Sequence, residues 1–186
     1  MSSDALREMR IIPFLLLASS LFAHAGVLGK PAPELRVDKW VNLPEKTKKG
    51  PLLHKDWKGK VVYLYFFQSW CPGCHSSGFP TLKNLEGKFR KNPDVKFATV
   101  QTVFEGFSTN NEAAAKKIVE RYQLQNIPVG QSGSHEARSK VMAAFQTRGT
   151  PWTVIIGKDG KVAFEGFHLK PEEGQALINK LLKSSS

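Results

Sequence analysis

Seven apolar residues in a row, Val61-Val62-Tyr63-Leu64-Tyr65-Phe66-Phe67, lead almost directly into Trp70-Cys71-Pro72-Gly73-Cys74-His75, which holds both cysteines of the 186-residue chain. A β-branched and aromatic run without polar alternation reads as a strand covered on both faces. Beyond the cysteines, Phe79, Leu82, Leu85 and Phe89 recur at helical spacing and predict a helix from Cys71 to about Arg90, bent near Pro80. The cysteines therefore stand where a strand turns into the first turn of a helix. Unpaired N–H groups at that place favour a thiolate. This points to a protein that exchanges disulfides with other proteins.

The start of the chain says where that exchange would happen. Residues Met1 to Ala25 read as a secretory signal peptide: Arg7 and Arg10 form a charged start, Ile11 to Leu17 with Leu21-Phe22-Ala23 an apolar stretch, and Ala23-His24-Ala25 a small-x-small cleavage site. The alternative is an uncleaved anchor, but the apolar run falls short of the roughly 20 residues a span needs. No cysteine follows the run, so a lipid anchor is not indicated. Residues 26–186 are then one domain, expected in the periplasm or another compartment outside the cytoplasm, where disulfides persist. A bond between cysteines three apart closes a loop worth roughly 2 kcal/mol in chain entropy. That is a weak staple, so the pair reads as redox-active rather than structural.

Lys and Arg number 27 against 16 Asp and Glu, a net charge of +11. Lys46, Lys48, Lys49, Lys55, Lys58 and Lys60 crowd the segment before the apolar run, and Lys88, Arg90 and Lys91 close the first helix. Nucleic-acid binding would want aromatics interleaved with the basic residues, and export argues against it. The charge reads as a solvated basic surface suited to acidic partners or an anionic membrane face.

From Gly26 to Gly59 the chain is irregular, interrupted by Pro31, Pro33, Pro44 and Pro51. Leu52 to Lys60 is a short turn feeding the first strand. Lys91-Asn92-Pro93-Asp94 is turn chemistry, and Val95 to Val103 a second strand. A helix opening at Asn110 carries Ala114, Ile118 and Tyr122 on one face; an extended piece spans Gln125 to Gly130. After a loop, a short helix carries Ala137, Val141, Ala144 and Phe145. Pro151 to Ile156 and Lys161 to Phe167 form a hairpin about Lys158-Asp159-Gly160, and a last helix runs from Pro171 to Lys183 with Leu177, Ile178, Leu181 and Leu182 inward. The order implies a mixed central sheet with helices on both faces.

Trp-Cys-x-x-Cys after an apolar strand, with Gly149-Thr150-Pro151 opening a hairpin about 75 residues later, resembles the thioredoxin superfamily. The closer likeness is to exported TlpA- and ResA-like thiol-disulfide oxidoreductases, of the redoxin / AhpC-TSA-like kind. Three features carry it: the lead-in Trp57-Lys58-Gly59-Lys60-Val61-Val62; an insert of about 47 residues with two helices before Thr150-Pro151; and Arg148-Gly149-Thr150-Pro151 followed by Ile155-Ile156-Gly157-Lys158-Asp159-Gly160-Lys161-Val162. The resemblance implies a thioredoxin-like three-layer α/β/α fold with a mixed central sheet and an inserted segment between the second strand and the cis-Pro hairpin. It implies a cis bond before Pro151, with Pro151 packed beside the cysteines. It also implies partners among the protein thiols and disulfides of exported proteins, and a membrane or periplasmic redox partner. No cofactor beyond the Cys71–Cys74 disulfide and no metal are expected, and a monomer is.

Disulfide exchange needs an exposed thiolate to attack and a second thiol to resolve the mixed disulfide. Cys71, ahead of the helix, fits the first role and Cys74, one turn in, the second. Trp70, Thr150 and Pro151 would form the substrate-docking surface. Pro72 occupies the first helical position, where its missing donor matters least, and leaves the N–H groups of Gly73 and Cys74 to aim at Cys71. Pro72, Gly73 and His75 are thus the residues expected to tune the thiolate. Thioredoxin has Gly then Pro at these positions, so the pair here should be less reducing than its value of about −270 mV. His75 could reach the thiolate from the same helical face or be an uninvolved first-turn residue. His54, His135 and His168 have no motif around them.

Two departures from the family pattern stand out. Tyr65 takes the place of the buried Asp that thioredoxin carries six residues before its first cysteine. His75-Ser76-Ser77-Gly78-Phe79 lacks the Glu that ResA-like proteins have after the second cysteine. Water, His75 or Glu105 remain as proton acceptors for Cys74. The rival reading is a c-type haem protein, since Cys71, Cys74 and His75 also spell Cys-x-x-Cys-His, with Met142 available as a distal ligand. The strand leading into the motif and the Thr-Pro hairpin argue against it. Gln68 stands where a peroxiredoxin would need Thr or Ser, and two cysteines with an unfixed histidine make a weak metal site.

Overall fold

The computed structural model describes residues 26–44, 49–51 and 53–184. The expected signal peptide, together with Lys46, Lys48 and Leu52, lies outside the described residues. No helix among the described residues is long and apolar enough to cross a membrane.

In chain order the elements are β1 (Lys39–Asn42), α1 (Leu53–Asp56), β2 (Val61–Phe67), α2 (Phe79–Phe89), β3 (Val95–Thr102), α3 (Glu112–Arg121), β4 (Val129–Ser132), α4 (Lys140–Phe145), β5 (Trp152–Ile156), β6 (Val162–Gly166) and α5 (Pro171–Lys183). The strands form one sheet in the order β1-β4-β3-β2-β5-β6. β2, β3 and β4 run parallel, and β1, β5 and β6 pair antiparallel with their neighbours. This is the expected mixed sheet, in a thioredoxin-like α/β arrangement.

β2 is the middle of the core because its sequence permits nothing else. All seven of its residues are buried, and exposing even one Val, Leu or Phe would forfeit about 1.5–3 kcal/mol. Side chains alternate across the sheet. Val61, Tyr63, Tyr65 and Phe67 pack under α2, α3 and α5, with Leu82, Leu85, Ile118 and Ile178. Val62, Leu64 and Phe66 pack on the other face with Leu53 of α1, Val141 and Phe145 of α4, and the Val27–Leu35 segment.

Several expectations are corrected. The segment before α1 contains a strand, β1, held at the sheet edge by β4 and interrupted by an irregularity between Trp40 and Asn42. The extended piece expected over 125–130 is displaced to Val129–Ser132. The short helix begins at Lys140 instead of running through Ala137, because the Ser139 side chain caps it by accepting from Met142 N at 3.1 Å.

The largest correction lies beside the cysteines. The helix expected to run regularly from Cys71 opens into a π-helical stretch at Cys74–Gly78, and α2 starts at Phe79, with Pro80 in its first turn. Pro80 offers no N–H to the Ser76 carbonyl, and a side chain intrudes at the same turn. A Cβ on Gly78 would stand 2.0 Å from the Tyr65 hydroxyl, which donates to the Cys74 carbonyl at 3.4 Å. Five-residue turns open where a group enters the helical ladder.

Candidate active site

Strand pairing brings the two distant motifs together. Phe66 pairs with Trp152 and Tyr65 with Thr153 in antiparallel register. The chain leaving β2 and the chain entering β5 therefore meet at one end of the sheet. The Thr150–Pro151 bond is cis. A Cβ on Gly73 would meet the Pro151 ring at 3.2 Å, so the turn after Cys71 lies directly against Pro151.

Cys71 is held from both sides. Its thiol donates to the Thr150 carbonyl at 3.5 Å, and the Cys74 amide points at its sulfur at 3.4 Å. The same amide reaches the Cys71 carbonyl at 3.1 Å, so it is shared between two acceptors. The expectation of a protruding sulfur is corrected: Cys71 is only 6% exposed, with the Thr150 carbonyl against its sulfur. Pro72 is exposed and Gly73 half-buried.

Cys74 is fully buried. Burial pushes its thiol up to about 12, with the hydrogen bond to Cys71 adding to the rise; hydrogen bonds from Tyr65 and the Gln68 backbone work against it. Tyr65, itself held protonated by burial and by Cys74, therefore stands under Cys74 as a neutral donor where the resemblance leads one to look for a carboxylate. Both cysteines are free thiols here.

His75 does not turn toward the dithiol. Its Nε2 lies 2.7 Å from the Ser69 carbonyl and its Nδ1 2.6 Å from the Tyr122 hydroxyl. A carbonyl can only accept, so Nε2 carries a proton; in the neutral tautomer this fixes, Nδ1 accepts from Tyr122. Burial raises the Tyr122 hydroxyl, which suits that donor role. His75 thus ties the segment before Cys71 to the end of α3; its expected part in tuning the thiolate is replaced by a positioning one.

Behind Ser69 lies a buried polar frame with little signature in the chain itself. The Ser69 amide donates to Asn110 Oδ1 at 2.7 Å, Asn110 Nδ2 donates to Gln68 Oε1 at 2.7 Å, and the Ser69 hydroxyl donates to Gln101. Gln68, Gln101 and Asn110 are all buried, and their satisfied amides fix the Gln68–Trp70 turn. Glu105 accepts from Gln68 Nε2 at 3.4 Å and is exposed. Trp70 is 46% exposed, with Phe104 and Phe107 also open to solvent nearby in the following loop. His54, His135 and His168 lie on the surface. No group of three or more His, Cys, Asp or Glu side chains able to hold a metal ion occurs among the described residues.

Comparison with known proteins identifies the family and the fold. The Redoxin family profile matches residues 28–176. A thiol-disulfide oxidoreductase ResA of Bacillus cereus is 30% identical over 108 residues, covering 58% of this chain and 55% of that protein. Protein FixW of Rhizobium leguminosarum is 28% identical over 148 residues, covering 75% and 60%. The chain thus spans little more than half the length of these two relatives. Among solved structures, a thioredoxin-like superfamily protein superposes with a TM-score of 0.71 at 29% identity, covering 84% of this chain and 98% of its own. A thiol-disulfide isomerase from Corynebacterium glutamicum superposes with a TM-score of 0.68 at 24% identity, covering 83% and 98%, a likeness of fold. With the matched profile spanning most of the chain, from before β1 into α5, this protein belongs to the Redoxin family.

Proposed function

We propose that the chain is a thiol-disulfide oxidoreductase that works on proteins outside the cytoplasm, through a Cys71–Cys74 dithiol. One observation carries the reading: the Cys71 sulfur sits between the Cys74 amide and the Thr150 carbonyl, at 3.4 and 3.5 Å. In the reducing direction, the Cys71 thiolate attacks one sulfur of a substrate disulfide. The other sulfur leaves as a thiolate and takes up a proton. Cys74, having given up its proton, then attacks Cys71, forming the internal disulfide and releasing the second substrate thiol. Two electrons pass to the substrate, and the reverse sequence oxidises it. The Met1–Ala25 pattern supports export, and the exposed Trp70, next in the chain to Cys71, supports docking of a polypeptide partner.

The geometry offers a haem reading little. Attachment would need His75 free to bind iron, and both its ring nitrogens are engaged by Ser69 and Tyr122.

Equilibration in glutathione redox buffers tests the proposal. A single two-electron transition between dithiol and Cys71–Cys74 disulfide is expected, at a potential above the roughly −270 mV of thioredoxin. No internal disulfide at any poise would overturn the function, and a potential at or below thioredoxin's would overturn the part assigned to Pro72-Gly73.

A further inference from the structure

Beside the dithiol, a pocket of about 280 Å³ opens between the Ser69-Trp70 turn and α3; its walls include Thr109, His75, Lys117 and Arg121. Its charged lining is basic, with no carboxylate among the described lining residues. Lys117 and Arg121 are four apart on α3, so both stand on the face turned toward Trp70. Acidic residues nearby are used elsewhere or lie outside. Glu112 is taken up by Lys39 at 2.5 Å and Lys116 at 2.9 Å on another face of the helix. Glu105 accepts from the buried Gln68, and Glu120 is exposed outside the pocket. Lys117 has no hydrogen bond or ion pair among the described residues. The Arg121 guanidinium lies over the Tyr122 ring at 5.5 Å, which orients the fork while leaving its edge donors available.

A carboxylate is the partner this arrangement lacks. Resting on the thiol-disulfide reading above, we infer that the polypeptide whose disulfide meets Cys71 carries an acidic residue within a few positions of its reacting cysteine. Lys117 and Arg121 hold that carboxylate while Trp70 packs on the neighbouring chain. An Arg fork and a carboxylate form charge-assisted paired hydrogen bonds, and the net charge of +11 steers such a partner inward. Selectivity for partners then comes from the wall of α3, not from the sulfur chemistry.

Short peptides joined into symmetrical disulfides through one cysteine test this, with Asp, Asn or Lys on both sides of that cysteine. Each is mixed with the pre-reduced full chain in a single turnover, followed by acid quench and mass spectrometry. The dithiol becomes the Cys71–Cys74 disulfide as the peptide disulfide becomes two thiols, so no other reductant enters. The Asp peptide should react about tenfold faster than the Lys peptide at low ionic strength, with the gap shrinking as salt screens the pair. The double variant Lys117→Glu with Arg121→Glu should invert the order of the Asp and Lys peptides, whereas Lys117→Arg with Arg121→Lys should keep it. Equal rates for all three peptides, or an Asp preference surviving charge reversal, would overturn the inference and leave the enzymatic reading standing. Exchange with none of them would remove both.

Discussion

The hydroxyl of Tyr65 stands where a side chain on Gly78 would begin, 2.0 Å from the position a Cβ would take. That approach, with Pro80 offering no N–H to the Ser76 carbonyl, matches the opening of the helix into a π turn at Cys74–Gly78, and it places a hydroxyl beneath Cys74. Gly78→Ala should therefore be destabilising by about 1–3 kcal/mol, the usual cost of overpacking a filled interior. Urea unfolding at neutral pH measures it; an unchanged midpoint would mean that the turn yields without strain.

Tyr65→Phe keeps the ring and removes the donor. The loss of the Tyr65 hydrogen bonds should lower stability by about 0.5–1.5 kcal/mol. The hydroxyl's bond also restrains the rise of the Cys74 thiol, so without it Cys74 is driven still higher. Resolution of a mixed disulfide should slow at a given pH and its rate profile shift to higher pH, as read by rapid quench.

The buried Cys74 predicts how stability depends on pH. Its thiol is raised to about 12 in the folded protein, against roughly 8.5 when unfolded. Between those values the unfolded chain has lost a proton that the folded one keeps. The contribution is complete below the unfolded value and drains away as pH rises toward the folded one, by at most about 1.4 kcal/mol per pH unit. Urea unfolding of the reduced protein, compared with Cys74→Ser, should show the difference between the two shrinking above pH ~8.5.

His75→Ala should cost about 1–3 kcal/mol, since it leaves the Ser69 carbonyl and the Tyr122 hydroxyl without their partner. The effect should appear in thermal or urea unfolding and as altered Trp70 fluorescence. Because both ring nitrogens face Ser69 and Tyr122, the loss is expected in stability and in the placement of Trp70.

What could be read from the chain alone was what local composition dictates. β2 was legible because a strand buried on both faces needs an uninterrupted apolar run, and the Thr150-Pro151 partnership followed from its motif. β1 was not, since an edge strand of exposed and half-buried residues such as Lys39 and Asn42 carries no apolar pattern. The π turn was hidden because Tyr65, which intrudes on it, comes from another element. His75 looked like a thiolate neighbour because its partner Tyr122 lies 47 residues away in sequence. The burial of Cys71 was missed for the same reason: Thr150, whose carbonyl receives its thiol, is 79 residues away.

The division of labour between the two sulfurs is tested most directly by Cys74→Ala. Incubated with a disulfide-bonded protein substrate and analysed by mass spectrometry without reductant, this variant should accumulate a mixed disulfide on Cys71, while the native protein resolves it. A variant that turns over like the native protein, or traps no substrate at Cys71, would contradict the account.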